Sequence, residues 1–210
     1  MNDPIRLYTW STPNGRKISI ALEELGLPYD VVPVNIGQDE QFSPEFLKIS
    51  PNNKIPAIVD GDFALFESGA ILLYLAHKTG ELAPAYATPR YWRVMEWLMW
   101  QMGGFGPSLG QAHHFLKFNP GKSAYAEARY HGEALRLYRV LNTRLEGRDY
   151  VCDELSVADI AIFTWASRFE FQQVDLADYP EVCRWYGQLA ARPGFQRGYS
   201  VPVEASIPLP

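Results

Sequence analysis

The sequence predicts an α/β layer followed by an all-helical domain, and three observations carry that reading. Strand-like and helix-like runs alternate over residues 1–84; a short turn-rich linker, 85–89, follows; beyond it, over 90–210, apolar residues recur at helical spacing. A chain of 210 residues is long enough for two domains of roughly 80 to 120 residues each.

Residues 5–9 read as a strand. Ile18, Ala21, Leu22 and Leu25 then fall at i, i+3, i+4 and i+7, the apolar stripe of a helix that stops at Gly26. Residues 29–34 are rich in Val and read as a second strand, and 42–49 as a brief helix or an irregular crossover. Two apolar runs, 57–59 and 63–65, flank Asp60-Gly61-Asp62, the signature of an antiparallel hairpin. A helix from Glu67 or Ser68 to Lys78 closes the series before Gly80. The order β-α-β-α-β-β-α is that of a thioredoxin-type layer.

In the second half, Met95, Leu98, Met99 and Met102 mark one stripe. Ala134, Leu137, Tyr138, Leu141 and Leu145 mark another, and Val182, Trp185, Tyr186 and Leu189 a third. A short piece near Tyr150 is the one strand-like exception. At 155–160 the sequence reads as a helix start: Ser156 caps, Asp159 reaches back, and Leu155 staples onto Ile160.

Composition excludes several functions. Lys and Arg number 19 against 24 Asp and Glu, with no basic block, so a nucleic-acid footprint is missing. The longest strongly apolar run, 70–76, falls far short of the ~20 residues that span a bilayer, so no membrane association is expected. The start MNDPIRLYTW lacks the basic and apolar regions of a secretory signal, which predicts a cytoplasmic protein. Cys152 and Cys183 lie far apart, in neither a CxxC pair nor a zinc-type cluster, and read as free, inert thiols. His113 and His114 have no partner at metal-ligand spacing and read as structural; no metal is expected.

Several strings narrow the reading. Ser50-Pro51-Asn52-Asn53-Lys54-Ile55-Pro56-Ala57, Phe66-Glu67-Ser68-Gly69-Ala70-Ile71 and the capping box at 156–159 resemble, in that order, motifs of the cytosolic glutathione transferases. Thr12-Pro13-Asn14-Gly15-Arg16-Lys17-Ile18, Trp100-Gln101-Met102-Gly103-Gly104-Phe105-Gly106-Pro107 and Gly110-Gln111-Ala112-His113-His114-Phe115 are similar to the bacterial nu-class branch. The resemblance covers nearly the whole chain. It implies the glutathione transferase fold, glutathione as cosubstrate, a homodimer, and the disulfide-bond reductase activity for which that branch is known.

The chemistry asked of such a site is plain. A thiol of pKa ~8.5 is only a few per cent thiolate at pH 7, so an enzyme gains by stabilising the anion. In the turn 11–15 the Thr12 hydroxyl and the Asn14 amide can each donate a hydrogen bond, ahead of a helix N-terminus. These groups could equally cap the helix. What favours the chemical role is that the turn holds no cysteine, while the glutathione-binding strings follow downstream.

The resemblance selects Thr12 over Ser11 as the hydroxyl facing sulfur, with Asn14 as co-donor, and leaves Tyr8 to the strand. It also implies a cis Pro56, with the Ile55 backbone pairing the cysteinyl unit like an added strand. Glu67 would take the γ-glutamyl ammonium, and Ser68 with the following helix N-terminus its carboxylate. Gln41 and Lys54 would hold the glycine end, and Arg129 would reach across a dimer interface to a glutathione carboxylate. The Gly-Gly-Phe-Gly-Pro interruption is expected to bend its helix above the active site and wall a second-substrate pocket. The tail, 201–210, is expected to lie extended over the surface. Two alternatives remain open: a transferase that conjugates the same thiolate to electrophiles, and a non-catalytic binding or scaffold protein of this fold.

Overall fold

The computed structural model describes residues 3–210. They form two compact units, one running to Ala83 and including 191–207, the other comprising 84–190 and 208–210. In chain order the elements are β1 (Ile5–Thr9), α1 (Pro13–Glu24), β2 (Tyr29–Pro33), α2 (Pro44–Leu47), β3 (Ala57–Asp60), β4 (Phe63–Phe66) and α3 (Ser68–Thr79). Then come α4 (Pro89–Trp100), α5 (Gly106–Ala112), α6 (Ala124–Leu145), α7 (Val157–Ala166), α8 (Pro180–Ala190) and α9 (Pro193–Tyr199).

The first unit has the β-α-β-α-β-β-α succession read from the sequence. Its sheet has the order β2-β1-β3-β4, with β1 parallel to β2 and the other pairs antiparallel. The hairpin turns on Gly61-Asp62, as the local sequence demands, with Asp60 facing Phe63. The segment 42–49 resolves into a 3-10 turn, Glu40–Phe42, and the short α2. Ser43 caps α2 by accepting the Phe46 N–H at 3.3 Å.

Helix α1 packs against β1, α3 and α9. Residues 15–22 are therefore all buried, not only the apolar stripe. Contact with α9 is close. A Cβ on Gly198 would stand 2.5 Å from the Ile20 backbone, and the Ser19 hydroxyl donates to the Gly198 carbonyl at 2.6 Å. Arg192 grips Glu24 through two nitrogens, at 2.6 and 3.1 Å. Residues 191–207 thus pack with the α/β unit, whereas the sequence reading ran the helical domain over 90–210.

In the second unit, α4 starts on Thr88, whose hydroxyl oxygen accepts the Tyr91 N–H at 3.2 Å. The glycines after it do not break the helix. Gln101–Phe105 and His113–Phe118 are π-helical, and the joints at Gln101 and Gly106 keep helical dihedrals. The buried face runs through Tyr91, Val94, Met95, Leu98, Gln101 and Phe105. This corrects the expected stripe: Met99, still in α4, is 53% exposed, and the π-helical widening after it carries the buried face to Phe105 and leaves Met102 half-buried. The stripes on α6 and α8 are buried as expected. The strand-like piece near Tyr150 is a single bridge between Cys152 and Glu154.

Asp159, fully buried, does more than close its capping box. One carboxylate oxygen accepts the Ser156 N–H (3.0 Å) and hydroxyl (2.8 Å), and the other accepts the Val151 N–H (2.8 Å) and the Trp185 indole N–H (3.0 Å). It ties the loop before α7 to α8.

Candidate active site

The sheet register decides what meets what. Tyr8 pairs with Ala57, and Ala57 with Phe66, in one row across β1, β3 and β4. Because β3 runs antiparallel to both neighbours, the end of β1, the start of β3 and the end of β4 lie at the same edge of the sheet. The turn 10–15, the Ile55-Pro56 step and the Glu67-Ser68 step are thereby brought together.

In the turn, Thr12 is extended (φ −115°, ψ 162°) and caps α1, its hydroxyl oxygen accepting the Gly15 N–H at 3.1 Å. Capping uses the oxygen as acceptor, so the hydroxyl hydrogen is given elsewhere. Cap and donor are therefore compatible roles. A Cβ at Gly15 would collide with the Trp10 carbonyl and stand 2.5 Å from the Thr9 hydroxyl, so the turn closes tightly only with glycine there. Asn14 sits half-buried in the first turn of α1, which carries no acidic side chain. The positive end of the helix is left uncompensated by carboxylates of its own.

The Ile55–Pro56 bond is cis. Its loop is set by Ser50, buried, which donates to the Lys54 carbonyl at 2.8 Å and accepts the Asn53 N–H through its own carbonyl at 2.9 Å. The Ile55 side chain packs on Val34, Phe46 and Ala57. Tyr8 packs on the same cluster, its ring 6.1 Å from that of Phe46, and is a strand residue as expected. Lys54 is exposed, and the Gln41 amide nitrogen donates to Asp39 at 3.4 Å.

Glu67 is exposed and has φ +73°, ψ 112°, a strained backbone for a residue with a Cβ. The strain falls where β4 turns into α3, immediately before the buried Ser68. Arg129 belongs to the second unit, where it is exposed on α6 and its charge helps hold the Glu133 carboxyl below the usual range, after the larger effect of Arg136.

One residue here was not singled out from sequence. Lys17 is 1% exposed and donates to the Ser68 hydroxyl oxygen at 3.3 Å. Burial pushes its ammonium down to about 7, against the opposing field of Glu67. The available signal was that its i+3 and i+4 neighbours, Ile20 and Ala21, are apolar. The cysteines lie in the second unit without a disulfide; burial, and then the charge of Asp159, pushes the Cys152 thiol up to about 12. Among the described residues no group of three His, Cys, Asp or Glu side chains could hold a metal ion, and no helix is long and apolar enough to cross a membrane.

A thioredoxin-like four-stranded unit with a helical second unit, and a cysteine-free cap turn beside a cis-proline loop, define a glutathione transferase, and the chain belongs to that family. The family models for the glutathione S-transferase N-terminal and C-terminal domains match residues 3–77 and 105–193. Disulfide-bond oxidoreductase YfcG of Escherichia coli (strain K12) is 49% identical over 197 residues, covering 90% of this chain and 91% of its own. Disulfide-bond oxidoreductase YghU of the same organism is 39% identical over 214 residues, covering 93% and 74%. Among solved structures, a glutathione transferase from Pseudomonas putida, with one glutathione disulfide bound per subunit, has a TM-score of 0.89 at 41% identity over 95% of this chain and 92% of that one. A family member from Pseudomonas fluorescens with two glutathione bound has a TM-score of 0.90 at 44% identity, covering 94% and 93%.

Proposed function

We propose that this chain is a cytoplasmic, homodimeric, glutathione-dependent disulfide-bond reductase of the nu-class kind, in which Thr12 and Asn14 hold glutathione as its thiolate. The observation that carries the reading is the Tyr8–Ala57–Phe66 row, which collects the cap turn, the cis-proline loop and the strained Glu67-Ser68 step at one sheet edge. Relatives named as disulfide-bond oxidoreductases, and neighbours with glutathione or its disulfide bound, support the chemistry. Glutathione would lie along Ile55, its ammonium at Glu67 and its γ-glutamyl carboxylate at Ser68 and the first N–H groups of α3. Its glycine end would reach Gln41 and Lys54, with Arg129 contributed by the partner subunit.

The thiolate attacks one sulfur of a substrate disulfide, forming a glutathione mixed disulfide and expelling the other half as a thiolate that takes up a proton. A second glutathione attacks the mixed disulfide, giving glutathione disulfide and the second product thiol. Two thiols are oxidised as one disulfide is reduced, and no protein thiol takes part.

The test is turnover of a small symmetric disulfide with glutathione by the wild type, Thr12→Ser, Thr12→Asp and the Cys152→Ser/Cys183→Ser double variant. Thr12→Asp keeps an acceptor for the Gly15 N–H but sets a negative charge against sulfur. It is expected to fold and to lose at least a hundredfold in kcat/KM, while Thr12→Ser and the cysteine variant stay within threefold of wild type. Loss of turnover in the cysteine variant sinks the mechanism. Faster turnover of a chlorinated aromatic than of the disulfide would favour conjugation instead.

A further inference from the structure

We propose that Lys17 is a positioning residue for the γ-glutamyl carboxylate of glutathione, acting through Ser68 from inside the α1–α3 contact. The inference rests on the reading of the site given above. Lys17 Nζ and Ser68 Oγ are 3.3 Å apart, on residues 1% and 4% exposed. A protonated ammonium only donates, so it takes one of the two acceptor positions of the Ser68 oxygen and biases the hydroxyl's own hydrogen toward an acceptor. That polarity suits a carboxylate. Lys17 also supplies the buried cation that a bound carboxylate needs, beside the helix N-terminal N–H groups.

Several charged groups on α1 and on the elements packed around it are engaged elsewhere, and Arg6 on β1 and His77 on α3 are exposed. Arg16 stacks over the Tyr199 ring at 3.6 Å. Glu23 and Glu24, at the far end of α1, hold Arg197 and Arg192. At the other end of α3, Lys78 is paired with Asp60. Glu67 is the charged group whose field acts on Lys17.

Without ligand, burial holds the Lys17 ammonium at about 7. A carboxylate arriving at Ser68 opposes that desolvation and draws a proton onto Lys17, so ligand binding and proton uptake are linked. The cation is fully present below that value and is lost above it. Carboxylate affinity therefore falls as pH rises through 7 toward 8.5.

The experiment is calorimetric titration with S-methylglutathione, which has no ionisable thiol, at pH 6.5, 7.5 and 8.5 in buffers of differing ionisation enthalpy. The wild type should bind roughly tenfold more weakly at pH 8.5 than at 6.5 and take up a proton at the higher values. Lys17→Met should bind at least tenfold more weakly than wild type at pH 6.5, with a flat pH profile and no proton uptake. Its Tm should be unchanged or higher, because it removes an ion that burial disfavours. In turnover the loss should appear in the KM for glutathione, not in kcat. Lys17→Gln keeps a donor for Ser68 without the charge, and should be intermediate in affinity and equally flat; it carries the test if the methionine variant does not fold. Wild-type affinity and pH slope in the folded variants would overturn the inference while leaving the glutathione site standing. Absence of binding by the wild type would overturn the reading of the site, and this inference with it.

Discussion

His113 offers a stability experiment whose sign and size follow from three side chains. It opens the second π-helical stretch, 8% exposed, with its ring 5.4 Å from Trp165 and 5.8 Å from Phe171. Its Nε2 lies 3.1 Å from the Gln172 amide nitrogen. That nitrogen also donates to the Trp165 carbonyl at 2.8 Å, while the Gln172 oxygen accepts the Tyr138 hydroxyl at 2.7 Å. A carbonyl can only accept, so Gln172 presents NH2 to both sides and His113 Nε2 must be the bare, accepting nitrogen. Protonation would set N–H against N–H in a buried site. Burial first, then the Arg168 charge, lowers the imidazolium from its ordinary value near 6.5 to about 4.

Between those values the unfolded chain takes up a proton that the native one refuses. Stability is therefore lost as pH falls from about 7 toward 4, and levels off below. The full span is on the order of 3 kcal/mol, of which about 2 kcal/mol is gone by pH 5. His113→Gln places a non-titrating acceptor near the same donor. Urea unfolding of both proteins, at one fixed protein concentration, cancels the carboxylates they share. From pH 7.5 to 5.0 the wild type should lose about 2 kcal/mol more than the variant. A difference constant to within a few tenths, or a His113 proton resonance titrating near 6.5, would refute the argument.

Two further outcomes follow from packing. Asp159→Asn replaces one accepting oxygen with NH2 among four donors; it should cost about 3 kcal/mol or more and lower Tm by about 6 to 12 °C, and near-wild-type melting would show that the four bonds do not act together. Gly198→Ala drives a methyl into the Ile20 backbone and should cost about 1–3 kcal/mol, with protease cleavage appearing after residue 191 as α9 lifts from α1; full resistance would contradict the close crossing.

The sheet and the main helices were legible because each carries a signal that burial enforces: alternation in β1, Asp-Gly-Asp in the hairpin, and i, i+3, i+4 stripes on α6 and α8. What was not legible belongs to partners remote in sequence. The seven residues of α9 carry too short a pattern to say what they cover, and their place on α1 depends on Gly198 meeting Ile20. Gly103, Gly104 and Gly106 punctuate the sequence, yet the helix passes through the first two by widening to π-helix and resumes as α5 at Gly106; local propensity gave way to packing. The same logic governs the candidate site. Thr12 and Glu67 could be read as members of local strings, but the left-handed backbone of Glu67 appears only when β4 meets α3. Lys17 reads as a surface charge until α3 and α9 close over α1 and leave its ammonium facing Ser68. An amine enclosed that way is disfavoured as an ion in the empty protein and favoured once an anion lies beside it. The helix contact that hides Lys17 from sequence reasoning is therefore also what couples it to an acidic ligand.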